Sequence, residues 1–437
     1  VTPIRRTPRR TMLLLATGTV AALGVAACSG PADGGSASAG AEAEEFKFLV
    51  NTENTTIPDL LTSLSEGACS EQEAALPLSV ETVPQTQLDQ RLQLLAGQDA
   101  LPAMYAAGNS PALTKELAEN GQVLDFEQAL ADLGKEDAVL PAARSTIEAL
   151  YGGFNVLPFQ YNIEGIWYNE TLFADNGIEP PATWDELVAA AQTLKDAGVV
   201  PFAASGEQGW PITRLISGYL FRDLGPDALQ KVADGEAELT DPEYVAAAQA
   251  VADLGAAGFF SEGVGSIDYD TAFNQFTSGD AGMFYMGSWA LSTFADPEAN
   301  PIGADAVGFM PFPAVEGGAG DVDAYPSNVG LPMTFSAKAY GAGVDDWLGC
   351  LADSYGDASL TEANTISGFA STAQIEDPLA QQVQDTIAAS DSSVLWFEAL
   401  FGTQATTTSQ TNAAQLLTGA ISAEEFMSLV QADLDAE

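Results

Sequence analysis

Apolar and polar residues alternate poorly between Phe46 and Asn51, and the run is short, which is the pattern of a strand buried on both faces in a parallel sheet. Thr52-Glu53-Asn54-Thr55 then reads as a turn and Ile57 to Leu64 as a helix. Leu78 to Val83 reads as a second strand. From Gln87 to Ala96, Leu88, Leu92 and Leu95 recur at helical spacing and share one face. Strand, helix, strand, helix is the beginning of an α/β lobe.

The sharpest local signal lies between Tyr168 and Gly198. Pro180-Pro181-Ala182 stops the chain, Thr183 and Glu186 have the spacing of a capping box, and Leu187, Ala190, Ala191 and Leu194 continue a helical stripe that Gly198 ends. Trp184 in the first turn is expected to pack rather than to meet a ligand.

At the amino end the pattern is different. Arg5, Arg6, Arg9 and Arg10 precede an acid-free apolar run from Met12 to Val25. That run is shorter than the roughly 20 residues of a spanning helix, so residues 1–27 read as an export signal. Val25-Ala26-Ala27-Cys28 resembles the bacterial lipobox, which implies lipid attachment at Cys28. Arg9-Arg10-Thr11-Met12-Leu13 also resembles a twin-arginine export signal. Residues 28–45 are mostly Gly, Ala, Ser and Glu and read as a flexible tether.

The 437-residue chain holds 61 acidic residues and no histidine. Setting aside the four arginines of the signal leaves ten basic side chains, an excess of negative charge that repels nucleic acid and anionic lipid. Without histidine there is no Ser-His-Asp or Cys-His catalysis and no histidine metal site. No metal and no cofactor is expected. If Cys28 carries lipid, Cys69 and Cys350 are an even pair in an oxidising compartment and read as a disulfide, against the alternative of two buried thiols. A chain of this length suits two lobes better than one core.

Three stretches then identify the chain by resemblance. Tyr151-Gly152-Gly153 through Leu157-Pro158, Trp167-Tyr168-Asn169-Glu170-Thr171-Leu172-Phe173, and Gly177 to Leu187 look like the signature of the extracellular solute-binding family to which maltose-binding protein belongs. Phe276-Thr277-Ser278-Gly279-Asp280-Ala281-Gly282 through Trp289 is close to that family's second signature. Leu95-Ala96-Gly97 with Leu101-Pro102, and Leu417 to Glu425, are similar to further family segments. The resemblance implies an α/β, two-lobed periplasmic-binding-protein fold of type II, with a ligand cleft between lobes joined by a three-crossing hinge. Lobe one is expected over 46–160 plus 330–376, and lobe two over 161–329 plus 377–437. Cys69, after the first helix, and Cys350, in a helix expected from Asp345 to Tyr355, then both fall in lobe one.

The same resemblance implies function and site. It points to a lipid-anchored substrate-binding protein of an ABC importer, a monomer on the outer face of the cytoplasmic membrane. Such a protein captures a mono- or oligosaccharide and delivers it to membrane permease subunits, without catalysis. The alternatives are a non-sugar solute, such as a polyamine, metal chelate or peptide, and a subunit presenting ligand to a sensor. A sugar needs aromatic faces for its apolar side and polar groups for its hydroxyls. Motif matching gives Trp289 as a stacking platform, with Asn51, Glu53, Asn54, Asn109, Gln160, Tyr161, Asn162, Glu207, Gln208, Trp210, Asn328, Trp396 and Phe397 as further ligand contacts. The family's basic residue at the first strand turn is missing, which puts maltodextrin itself in doubt.

Overall fold

The structure is a computed structural model and describes residues 44–108, 111–390 and 392–436. The expected signal, most of the tether, Cys28 and Asn109 lie outside the described residues. Ten strands are described: β1 Phe46–Asn51, β2 Leu78–Val83, β3 Met104–Ala106, β4 Asn162–Asn169, β5 Val200–Ala203, β6 Ala281–Gly287, β7 Val307–Met310, β8 Tyr325–Asn328, β9 Met333–Phe335 and β10 Ser393–Val394.

The strands form two sheets. The first has the order β2-β1-β3-β9, with β1 parallel to β2 and β3, and with β9 antiparallel to β3. Phe46, Phe48, Leu49 and Val50 are all buried while Lys47 is exposed, so both faces of the strand are covered from Phe48 onward, which explains its poor alternation. The second sheet has the order β10-β8-β4-β6-β5. Its β4 pairs with β8 at Asn162 and Ile163 and with β7 from Ile166 to Asn169. Because β1–β3 and β9 belong to one sheet and the rest to the other, the chain passes between the sheets three times: before β4, between β8 and β9, and between β9 and β10. This is the two-lobed α/β architecture.

The first helix, Thr56–Glu66, begins one residue before the apolar stripe, and the next helix after β2 runs from Gln85 to Gly97, slightly beyond the predicted segment at both ends. The helix expected from Asp345 to Tyr355 is longer, Ala342–Ala363, and its small residues Gly349, Ala352, Gly356 and Ala358 are buried. Trp347 on this helix stacks on Phe46 with ring centres 4.8 Å apart and donates Nε1–H to the Leu76 carbonyl. Cys69 and Cys350 are disulfide-bonded with Cα atoms 5.8 Å apart, which ties this helix to the end of the first.

In the second sheet's layer, Thr183 Oγ1 accepts from the Glu186 amide, and the Glu186 carboxylate accepts from the Thr183 and Ala182 amides. This capping box starts the helix Trp184–Asp196. Trp184 is packed between Tyr219 and Phe312. Arg222 is buried and donates to the carbonyls of Phe312, Asp321, Val322 and Ala324, which fixes the loop leading into β8. No helix among the described residues is long and apolar enough to cross a membrane.

Candidate ligand cleft

The crossings bring the ends of both sheets together around a pocket of about 400 Å³. From the first-sheet side it is lined by Thr56, Gln160, Gly330 and the segment Asn364–Ile366. From the second-sheet side come Asn162, Ser288, Trp289, Ser292 and Asn328. Larger hollows lie elsewhere, one between the helix Pro242–Ala256 and residues 416–423, but neither that one nor the one beside the helix Pro378–Ala389 is lined by a tryptophan.

Asn162 opens β4 and Asn328 closes β8, and the antiparallel register sets them opposite each other. The Asn162 amide donates to Asn328 Oδ1 at 3.2 Å, and Ser288 Oγ donates to Asn162 Oδ1 at 3.3 Å. Two residues along β4, on the same face, Glu164 is fully buried. Its Oε1 accepts from the Asn328 amide at 3.3 Å and from Arg214 at 3.3 Å. Glu164 Oε2 is buried without a hydrogen-bond partner. The Tyr285 hydroxyl lies beside this carboxylate but outside bonding geometry. Burial, and then the Glu164 charge, hold the Tyr285 phenol well above its ordinary pKa.

Trp289 follows β6 directly. Its ring lies over Gly287, where a Cβ would come within 1.9 Å of Trp289 Cζ3, so only glycine leaves room for it. Its Nε1–H donates to the Tyr269 hydroxyl at 3.1 Å. Trp210 meets Trp289 edge to face with ring centres 6.0 Å apart. The Arg214 guanidinium, one helical turn beyond Trp210, lies 5.4 Å from the centre of that ring and 5.0 Å from the centre of Trp396. Glu398, two residues past Trp396, is buried and accepts from Thr213 Oγ1 and Ser409 Oγ. Burial raises its carboxyl pKa, and the Arg214 charge partly opposes that rise.

The structure therefore gathers Gln160, Asn162, Trp210, Trp289, Asn328 and Trp396 into one connected group. Other expected contacts are placed differently. Tyr161 does not face the pocket: its side chain is fully buried among the hydroxyls of Thr146, Ser327 and Ser393, because alternation along the crossing segment turns it away from Gln160 and Asn162. Phe397 is likewise buried and packs on Phe401 and Phe426, opposite in direction to Trp396. Asn54 Oδ1 accepts from the Ile57 amide at the start of the first helix. Exposed Glu53 accepts from the Gln85 amide and from Asn51 at 3.4 Å, and backbone hydrogen bonding lowers its pKa. Asn51 is buried at the end of β1 with its Oδ1 unpartnered. Glu207 is exposed, while Gln208 is half-buried with an unpartnered Oε1.

Glu164, Arg214, Tyr269, Ser288, Glu398 and Asn364 to Ile366 join the site without having stood out in the sequence. Two of them had a visible signal. Glu164 is a carboxylate inside an apolar strand two residues from Asn162, and Arg214 is a lone cation in the otherwise apolar first turns of the helix Trp210–Leu224. Among the described residues no group of cysteines and carboxylates is placed to hold a metal ion.

Residues 72–340 match the family model described as bacterial extracellular solute-binding protein. A probable sugar-binding periplasmic protein from Mesorhizobium japonicum is 27% identical over 233 residues, covering 51% of this chain and 54% of that protein. The chain spans between about a third and about half of the length of the first curated relatives it matches. Among solved structures, a chitin oligosaccharide binding protein aligns with a TM-score of 0.72 at 24% identity, over 90% of this chain and 99% of that one. A probable secreted solute-binding lipoprotein from Streptomyces coelicolor aligns with a TM-score of 0.75 at 18% identity, over 90% and 100% of the two chains. At these identities the likeness is one of fold. With a family match across 72–340 and two sheets joined by three crossings around a polar, tryptophan-bearing pocket, the chain belongs to the bacterial extracellular solute-binding protein family.

Proposed function

We propose that this chain is the substrate-binding component of an ABC importer, which captures a mono- or oligosaccharide outside the cytoplasmic membrane and hands it to permease subunits. The observation that carries this reading is the connected set of Trp289, Trp210 and Trp396 beside Asn162, Asn328, Gln160 and Ser288. Flat aromatic faces suit the apolar side of a sugar ring, and amides and hydroxyls replace the water lost by its hydroxyl groups. The sugar-binding relative and the oligosaccharide-binding structural neighbour support the same class.

The lobes of this proposal are 46–160 plus 330–376 and 161–329 plus 377–437, in keeping with the membership of the two sheets. A ligand between them touches both sets of lining residues only when they approach, so binding favours the closed arrangement. The permease distinguishes the closed, loaded form from the open one. The protein works as a monomer and without catalysis, held to the membrane by lipid on Cys28. Fractionation of cells carrying Cys28→Ala checks the anchor: a processed variant that stays with the membrane would refute it.

The test of the main reading is a thermal-shift panel on the mature chain with oligosaccharides, polyamines, metal chelates and peptides, followed by calorimetry and product analysis. Stabilisation by a sugar that is recovered intact is expected. Stabilisation only by another class would replace the sugar with that solute, and cleavage of the sugar would make the protein an enzyme.

A further inference from the structure

We infer that Glu164 is a positioning residue: it pins the side-chain amide of Asn328, so that this cleft residue offers a ligand one N–H donor and no acceptor. This rests on the carbohydrate reading above and adds to it the polarity of one contact. An asparagine amide turned end for end keeps its shape but exchanges donor for acceptor, so neighbours of fixed polarity decide what it presents. Asn328 has two such neighbours. Glu164 Oε1 takes a hydrogen bond from Arg214, which can only donate, so this oxygen is an acceptor and faces the Asn328 NH2 group, 3.3 Å away. The Gly330 amide can only donate, and it faces Asn328 Oδ1 at 3.1 Å. Gly330 has a φ of 57°, a left-handed turn suited to glycine, and a Cβ there would come within 2.6 Å of Gln160 Oε1.

The same polarity runs along the row of side chains beside the pocket. Asn162 gives an N–H to Asn328 Oδ1 at 3.2 Å, which turns its own oxygen towards Ser288. The Ser288 hydroxyl accepts from the Ile163 amide at 3.3 Å and gives its single hydrogen to Asn162 Oδ1. An amide oxygen has two lone pairs, and those of Asn328 are both engaged, by Asn162 and Gly330. Its nitrogen has one hydrogen on Glu164 and one remaining. Asn328 is half-buried and lines the pocket, while Glu164 lies fully buried behind it. A ligand oxygen arriving here finds a donor whose direction is already set, which lowers the ordering cost of the contact. Glu164 acts on binding only through Asn328.

The test is a double-mutant cycle on the mature chain, with Glu164→Ala, Asn328→Ala and the two combined, and with Glu164→Gln as the conservative replacement. An array of oligosaccharides of glucose, galactose, xylose and N-acetylglucosamine identifies the glycan that the wild type holds most tightly, and calorimetric titration with that glycan compares the variants. Glu164→Ala should weaken binding at least tenfold. In the Asn328→Ala background the same change should weaken it less than threefold, because the amide that Glu164 positions is gone. Glu164→Gln keeps an oxygen in the place of Oε1 and should bind at least fivefold tighter than Glu164→Ala. An effect of Glu164→Ala that is as large without Asn328 as with it would show that the carboxylate only supports the fold around Arg214, and overturns the inference. Asn328→Asp gives a measurement that needs no change at Glu164: it keeps the side-chain shape, puts an oxygen in place of the N–H donor, and should weaken binding at least tenfold. Wild-type affinity in that variant overturns the donor assignment and leaves the sugar reading standing. An array on which the wild type binds no glycan overturns the carbohydrate reading, and the inference with it.

Discussion

The indole Nε1–H of Trp289 donates to the hydroxyl of Tyr269 at 3.1 Å, which fixes the ring edge-on against the helix Tyr269–Thr277 and leaves the indole half-buried at the pocket wall. A platform held this way loses little freedom when a ligand arrives, because its orientation is already set. Burial raises the Tyr269 phenol above its ordinary pKa while the Trp289 hydrogen bond lowers it, so the phenol stays protonated at neutral pH.

Trp289→Ala should weaken sugar binding by about 2 kcal/mol or more, the scale of a desolvated aromatic hot spot, or roughly 30-fold in Kd. The melting temperature without ligand should fall less than for a core tryptophan such as Trp167, whose truncation costs about 3–5 kcal/mol. Calorimetric titration and a melt of the same variant decide it. Unchanged affinity with a large loss of unliganded stability would show that the ring is core.

Gly287→Ala tests the same platform from underneath. The backbone there is extended, so alanine is not strained, but its Cβ would fall 1.9 Å from Trp289 Cζ3. The ring must move, and overpacking of this kind costs about 1–3 kcal/mol. Affinity should drop about tenfold although no ligand contact has been deleted. Wild-type affinity in this variant would mean that the position of Trp289 does not matter for binding.

Replacing both Cys69 and Cys350 by serine should lower stability by about 2–4 kcal/mol, as expected when a long loop is released in the unfolded chain. Ligand affinity should change less than threefold, because the bond joins the region after the first helix to the helix Ala342–Ala363, both beside the first sheet, and does not cross to the second. Denaturant unfolding and calorimetry on the double variant measure the two effects separately. A large loss of affinity would place the bond in the hinge mechanism.

Asp357 accepts from Ser371 Oγ and from the amides of Thr372 and Ala373, and the Ser371 hydrogen bond is the main reason its pKa is lowered. A carboxylate with a depressed folded-state pKa contributes stability that is present above the ordinary carboxylate range and lost as pH falls through the folded value. Asp357→Asn should therefore melt about 1–3 °C lower at pH 7, with the difference shrinking as the pH drops below 4. Thermal melts from pH 3 to pH 7 check the sign. A difference that grows in acid would contradict it.

Local physics makes much of this chain legible in its sequence. The apolar run Phe46 to Asn51 determined a doubly buried strand, Thr183 and Glu186 determined a helix start, and the absence of histidine removed whole classes of chemistry. These depend on neighbours a few residues apart. The family motifs carried Trp289, Trp210, Asn162 and Asn328, which the fold brings together around the cleft. What tertiary structure alone decided is which side chain of each short segment faces the pocket. Tyr161 lies between Gln160 and Asn162 yet turns into the core, because extended backbone sends successive side chains to opposite sides, and Phe397 turns inward beside half-exposed Trp396 at a turn in which the Ala399 amide donates to the Trp396 carbonyl. Glu164 and Arg214 acquired their place from partners 50 residues apart in the chain, and Asn162 and Asn328 from partners 166 apart. A burial that depends on such distant partners leaves no local periodicity to read, so the place of these groups behind the cleft was settled only by folding.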